Sequence, residues 1–222
     1  MRPVLGMAAL FLAAPLMAQG TDVTIQLAGR VPAPVIQVVQ ALADSAIAAG
    51  VPSAPLVQKA LEGAAKSVPA DRIIAALHVL LGREVSALSA LRRGGIASPG
   101  DADIEGAVFA LSAGLADSDV SSITRAGDGT YSAASTLRVA GTLAALGVPE
   151  AGTVQLVSIA LAQGVSPGEL ATFPGSVQAA MAHGMSPGQG AAGLARALGH
   201  ENGNNGNGNG NAKGKGKGRG KP

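Results

Sequence analysis

The chain of 222 residues is 47% hydrophobic, only 2% aromatic and free of cysteine. This excludes disulfides, thiolate metal sites and lipid attachment at an N-terminal cysteine, and it leaves a core built from Ala, Val and Leu. The formal charge of +2 hides a split: residues 19–200 carry 10 Lys/Arg against 13 Asp/Glu, whereas residues 201–222 are net +4. The body therefore gives no electrostatic ground for a basic nucleic-acid-binding domain.

Residues 1–18 read as a secretory signal peptide. Arg2 supplies the positive start, Val4–Met17 is an uncharged apolar run, and Ala18-Gln19-Gly20 offers cleavage after Ala18 or after Gly20. An uncleaved anchor or a buried first helix is the competing reading. No later segment is an uninterrupted apolar run of spanning length, so no further membrane span is predicted. Export places the protein in the periplasm or outside the cell.

Thr21–Leu27 (TDVTIQL) is the one stretch with strand-like alternation. Everything after it reads as helix. In Pro34–Ala49, residues Val35, Val38, Val39, Leu42 and Ala46 fall on one helical face. From Pro52, Leu56, Val57, Ala60, Leu61 and Ala64 do the same, with Lys59, Glu62 and Lys66 mostly opposite. Pro69 opens a longer helix, with Ile73, Ile74, Leu77, Leu80 and Leu81 inward. It continues through Val85, Leu88 and Leu91 to Arg92-Arg93, a basic end suited to the helix dipole, before Gly94-Gly95. Further helices are predicted at about 101–114, 131–146, 149–163, 174–183 and 187–198.

The punctuation recurs. Gly50-Val51-Pro52, Ser67-Val68-Pro69, Gly147-Val148-Pro149, Gly164-Val165-Ser166-Pro167 and Gly184-Met185-Ser186-Pro187 each place a helix stop just before a helix start. Gly50 to Ser67 and Gly147 to Gly164 are both 17 residues, and Val51-Pro52 with Val57-Gln58 matches Val148-Pro149 with Val154-Gln155, 97 residues on. The fold class expected for residues 19–200 is thus all-α: one domain of repeated helical hairpins, either α-solenoid-like or a duplicated helical bundle. Residues 201–222, alternating Gly with Asn and then with Lys or Arg, are expected to form a disordered tail.

Polar clusters point mainly to helix starts. Asp101, Asp103 and Glu105 with Gly106 have the spacing of a calcium loop, but the twelfth position is Ser112 rather than Glu. We read the segment as a first turn, capped by Ser98 or Asp101, with Asp103 and Glu105 at the positive end of the dipole. Asp117-Ser118-Asp119 reads as a cap, and Gly127-Asp128-Gly129 as a turn. His78, His183 and His200 share no metal-ligand spacing, and Ser121-Ser122 cannot be paired with a base. Gly188–Gly193 follows no strand and is a poor phosphate cradle. No catalytic motif, cofactor fingerprint or metal-ligand set emerges.

The expected function is that of an exported helical-repeat binding protein, not an enzyme. Its helical body would meet a protein partner. Lys213, Lys215, Lys217, Arg219 and Lys221 would form a mobile cationic arm for an anionic envelope polymer or lipid. The arm lacks aromatics for base stacking, so no specific nucleic-acid recognition is expected. The alternatives are a structural or assembly component of the envelope and an envelope hydrolase.

Overall fold

The computed structural model describes residues 23–204. They form eleven helices and, among the described residues, no strand: α1 (Val23–Leu27), α2 (Ala33–Ala49), α3 (Ala54–Ala65), α4 (Ala70–Arg93), α5 (Asp101–Ser112), α6 (Asp117–Ala126), α7 (Ala133–Ala145), α8 (Glu150–Ala162), α9 (Pro167–Leu170), α10 (Phe173–Ala182) and α11 (Pro187–Asn204). The chain is all-α, as its periodicity predicts. Two expectations need correction. Val23–Leu27 is helical rather than a strand, because a lone strand has no ladder to join and Leu27 instead buries beside α2. The last helix, expected to end near residue 198, runs to Asn204. The signal segment 1–18 and residues 205–222 lie outside the described residues.

Seven helix ends share one hydrogen-bonding device. At Gly50-Val51, the glycine N–H donates to the Ile47 carbonyl (3.1 Å) and the valine N–H to the Ala46 carbonyl (2.9 Å). The same paired bonds close the helices before Val68, Ile96, Leu115, Val148, Val165 and Met185. The residue ahead of each sits at positive φ, and six of those seven are glycine. This is the Schellman stop, whose left-handed residue is nearly free of cost only for glycine. Ser67 is the exception, at φ 54°. Val51, Leu115, Val148 and Val165 then plug into the core, so each stop is also a packing anchor. Pro69 and Pro149 follow in extended conformation, one residue ahead of their helices, and their carbonyls accept the first helical bonds.

α4 is the central rod, packed by α2, α3, α5 and α6. By length and composition it could cross a membrane, with 24 residues and a mean hydropathy of 1.5 in its most apolar stretch. In this fold it is the helix on which the neighbours assemble. Ile73, Leu77, Leu88 and Leu91 are buried as expected, but Val85 faces outward. All the largest buried side chains join one continuous apolar cluster from Leu27 to Ala195 except the charged Glu84.

α5 and α7 are the most closely packed pair. Asp103 Oδ1 accepts from the Ala134 N–H (3.2 Å), Glu105 pairs with Arg138 (3.2 Å), and Gly141 lies against Phe109 and Ala110. Residue numbers rise together along both helices, so they run parallel. Missing side chains permit the approach. A Cβ at Gly106 would lie 2.8 Å from the Ala134 carbonyl oxygen, and one at Gly141 would lie 2.7 Å from the Phe109 ring. Gly106 faces backbone, which cannot swing aside. Gly106→Ala should therefore lower stability by about 2 kcal/mol in thermal or urea denaturation. Ser67→Gly should raise it by about 1 kcal/mol by removing left-handed strain from a non-glycine residue.

Candidate functional site

The site begins with one misplaced residue. Glu84 lies on the same row of α4 as Ala76 and Leu80, at four-residue helical spacing, so the helix carries it toward α5. It is only 1% exposed. Its Oε2 is buried and accepts no hydrogen bond, and among the described residues no ion pair reaches the carboxyl. The neighbours explain why. Pro52 and Pro55 have no N–H to give, Leu80, Ile104, Val108 and Phe109 are apolar, and the Ser112 hydroxyl on the same wall does not bond it. Burial alone pushes the Glu84 carboxyl up to about 7.

Glu84 faces a cavity of about 300 Å³, at the lower end of the range for small-molecule sites. The other carboxyl on its wall, Glu105, is exposed and already paired with Arg138. Adjoining hollows extend the cavity in both directions. One is shared through Glu105 and Phe109 and reaches Arg138 and Thr142 on α7. The other is shared through Leu80 and Ser112 and continues past Val79 and Arg83, then past Lys59, Lys66 and Arg72 between α3 and α4. The result is a groove along the Arg72–Glu84 portion of α4, roughly 18 Å long at 1.5 Å per residue. Its far end carries Lys59, Lys66 and Arg72 around Glu62, and its near end carries Glu84 and Glu105 beside Arg138. Phe109 stays 43% exposed at the rim although it is one of only three phenylalanines.

The residues singled out from sequence do not assemble here. The Asp101–Gly106 segment is the first turn of α5, not an ion loop. The capping residue is neither Ser98 nor Asp101. Asp103 reaches back instead, its Oδ2 accepting from the Gly100 N–H (3.1 Å), while its Oδ1 holds α7. Asp119 does the same for α6, accepting from the Ala116 N–H (2.9 Å). Its carboxyl also meets Glu150 at the start of α8, and this contact raises the Glu150 pKa. His78 is exposed on α4 and His183 in the turn after α10, and the side chain of His200 lies outside the described residues. Among the described residues, no three His, Asp or Glu side chains gather around a metal-sized space. Lys213, Lys215, Lys217, Arg219 and Lys221 lie outside the described residues. No protein-family model matches the chain, and neither curated proteins nor solved structures give a significant match.

Sequence reasoning missed Glu84 because it assigned charged residues to the outer face. The signal was present: Ile73, Leu77, Glu84, Leu88 and Leu91 form one apolar stripe interrupted by a single carboxylate.

A carboxyl titrating higher in the folded than in the unfolded chain makes the native state bind its proton more tightly. Its contribution to stability is complete below the unfolded pKa of about 4.5 and is lost as pH rises through about 7. For Glu84 the loss amounts to at most about 3 kcal/mol. Glu150 acts in the same direction but is fully exposed. Urea midpoints should therefore fall between pH 5 and pH 8 in the native protein, and Glu84→Gln should remove most of that slope. Glu84→Leu should raise stability at pH 8, because an unpaired buried charge is replaced by an apolar group.

Proposed function

We propose that this protein is an exported helical-repeat binding protein whose body takes a ligand in the groove along α4 and whose cationic tail contacts anionic envelope polymers or lipids. The observation that carries the reading is the unpartnered, buried carboxyl of Glu84 at the wall of a largely apolar cavity. Burial of a carboxyl without a partner costs stability, and such costs are retained where they serve a site. A groove with few, spaced polar groups is a binding surface more readily than a reaction centre.

The repeat component draws on the recurring stop-and-start device and on the contact register. Asp103 with Ala134, Glu105 with Arg138 and Tyr131 with Val165 are separated by 31, 33 and 34 residues, near the period of stacked helix pairs. Export rests on the three-part N-terminal segment, and the arm on the five cations after residue 212.

The arm is tested by measuring binding of the mature chain, with and without residues 201–222, to lipopolysaccharide, anionic vesicles and duplex DNA. The full chain should bind all three without sequence preference. On DNA, log affinity should fall against log salt with a slope between about −4 and −5, as five neutralised phosphates require. Truncation should remove this salt-sensitive binding. Equal binding by both forms would refute the arm.

A further inference from the structure

We infer that the Glu84 end of the groove is a recognition site for a small primary amine with an apolar body, held by a charge-assisted hydrogen bond to the Glu84 carboxylate. The inference rests on the groove being a ligand site and adds the chemistry of the ligand. Three observations carry it.

The carboxyl is buried, lacks a partner at Oε2, and belongs to a residue that lines a cavity. What Oε2 lacks is a donor: of the side chains lining the cavity only the Ser112 hydroxyl could give one, and it makes no bond to Glu84. The two prolines on the wall have no N–H, and four of the remaining wall residues are aliphatic or aromatic. The nearest cations are otherwise placed: Arg138 pairs with Glu105, and Arg83 lines the adjoining hollow rather than this one.

An ammonium is the donor that compensates such a carboxylate most fully, because charge-assisted bonds strengthen in an apolar enclosure. Glu105 on the same wall is already paired with Arg138, which leaves the Glu84 carboxylate as the uncompensated charge among the lining residues and disfavours an anionic ligand. The apolar lining accounts for the body of the ligand: Leu80, Ile104, Val108 and Phe109 offer hydrocarbon and one aromatic face. The volume of about 300 Å³ limits that body to a short chain or a single ring.

Binding an ammonium requires Glu84 to release its proton to solvent. The empty site holds that proton up to about pH 7, so affinity should rise as the carboxyl ionises. Of the charged groups facing it, Glu105 comes from α5 with Arg138 of α7 behind it, and the segment entering α3 contributes only prolines to this wall.

Calorimetric titration of the full mature chain with hexylamine, 1-hexanol and hexanoate separates the possibilities. Hexylamine should bind best, and its affinity should rise about tenfold between pH 6 and pH 8. Glu84→Gln should abolish both the preference for the amine and its pH dependence. In the native protein, saturating hexylamine should pull the midpoint of the Glu84 carboxyl carbon resonance down by at least about one pH unit, a readout that needs no variant to fold. If hexanol binds as tightly as hexylamine at pH 8, or the Glu84 midpoint does not move, the amine assignment is wrong while the groove remains a ligand site. If none of the three probes binds at millimolar concentration, both the assignment and the groove reading fall.

Discussion

A helix that ends on a left-handed residue followed by a buried aliphatic one fixes two things at once. The paired backbone bonds settle where the helix stops. The aliphatic side chain, drawn into the core, settles the direction in which the chain leaves. With 2% aromatic residues, the protein has few large anchors to orient its helices. It relies on repeating this small device, and the rest of the packing follows from the angles set at those turns. The glycines at these ends are conformational necessities, and Ser67 marks the one place where the same geometry is held at a cost.

The second constraint is close approach. An Ala- and Gly-rich interior buries little area per side chain, so stability must come from bringing backbones together. Gly106 against Ala134 and Gly141 against Phe109 do this between α5 and α7, and Gly94 does it where α4 meets α6. Asp103 ties the first of these contacts, since one carboxylate satisfies N–H groups at the starts of two helices. A charge that looked like an ion ligand is thus a fastening between neighbouring helix ends, favoured by both dipoles.

Against this background Glu84 stands out. Among the described residues the other charged groups lie at or near the surface, singly or in exposed pairs such as Lys59–Glu62 and Arg138–Glu105, where solvent screens them and little energy is at stake. Glu84 occupies a position that an aliphatic residue would fill at no electrostatic cost. It does so where α4, α5 and the proline-rich entry to α3 leave space between them. The two parts of the proposed function are physically independent. The groove depends on packing in the body, and the cationic arm depends on charge density alone.

The sequence by itself determined most of the longer helices, because glycine and proline act through local backbone preference, but it read α1 as a strand and set out no helix for α6 or α9. It marked Val35, Leu56, Ile73 and Leu77 as core through helical periodicity. It did not expose the stops at Gly114-Leu115 and Gly95-Ile96 as members of the recurring set, since no proline follows Leu115 and the one after Ile96, Pro99, comes at least a residue later than in the other members. It placed Val85 inward and passed over Glu84, although both lie within one turn. Periodicity locates a stripe only to within a residue or so, and the partner helices choose its centre. Which side of α4 opens into a groove, and that its one interrupting carboxylate is left without a donor, depends on how α3 and α5 sit against it. Only tertiary structure decides that, because the contacts join residues far apart in the chain.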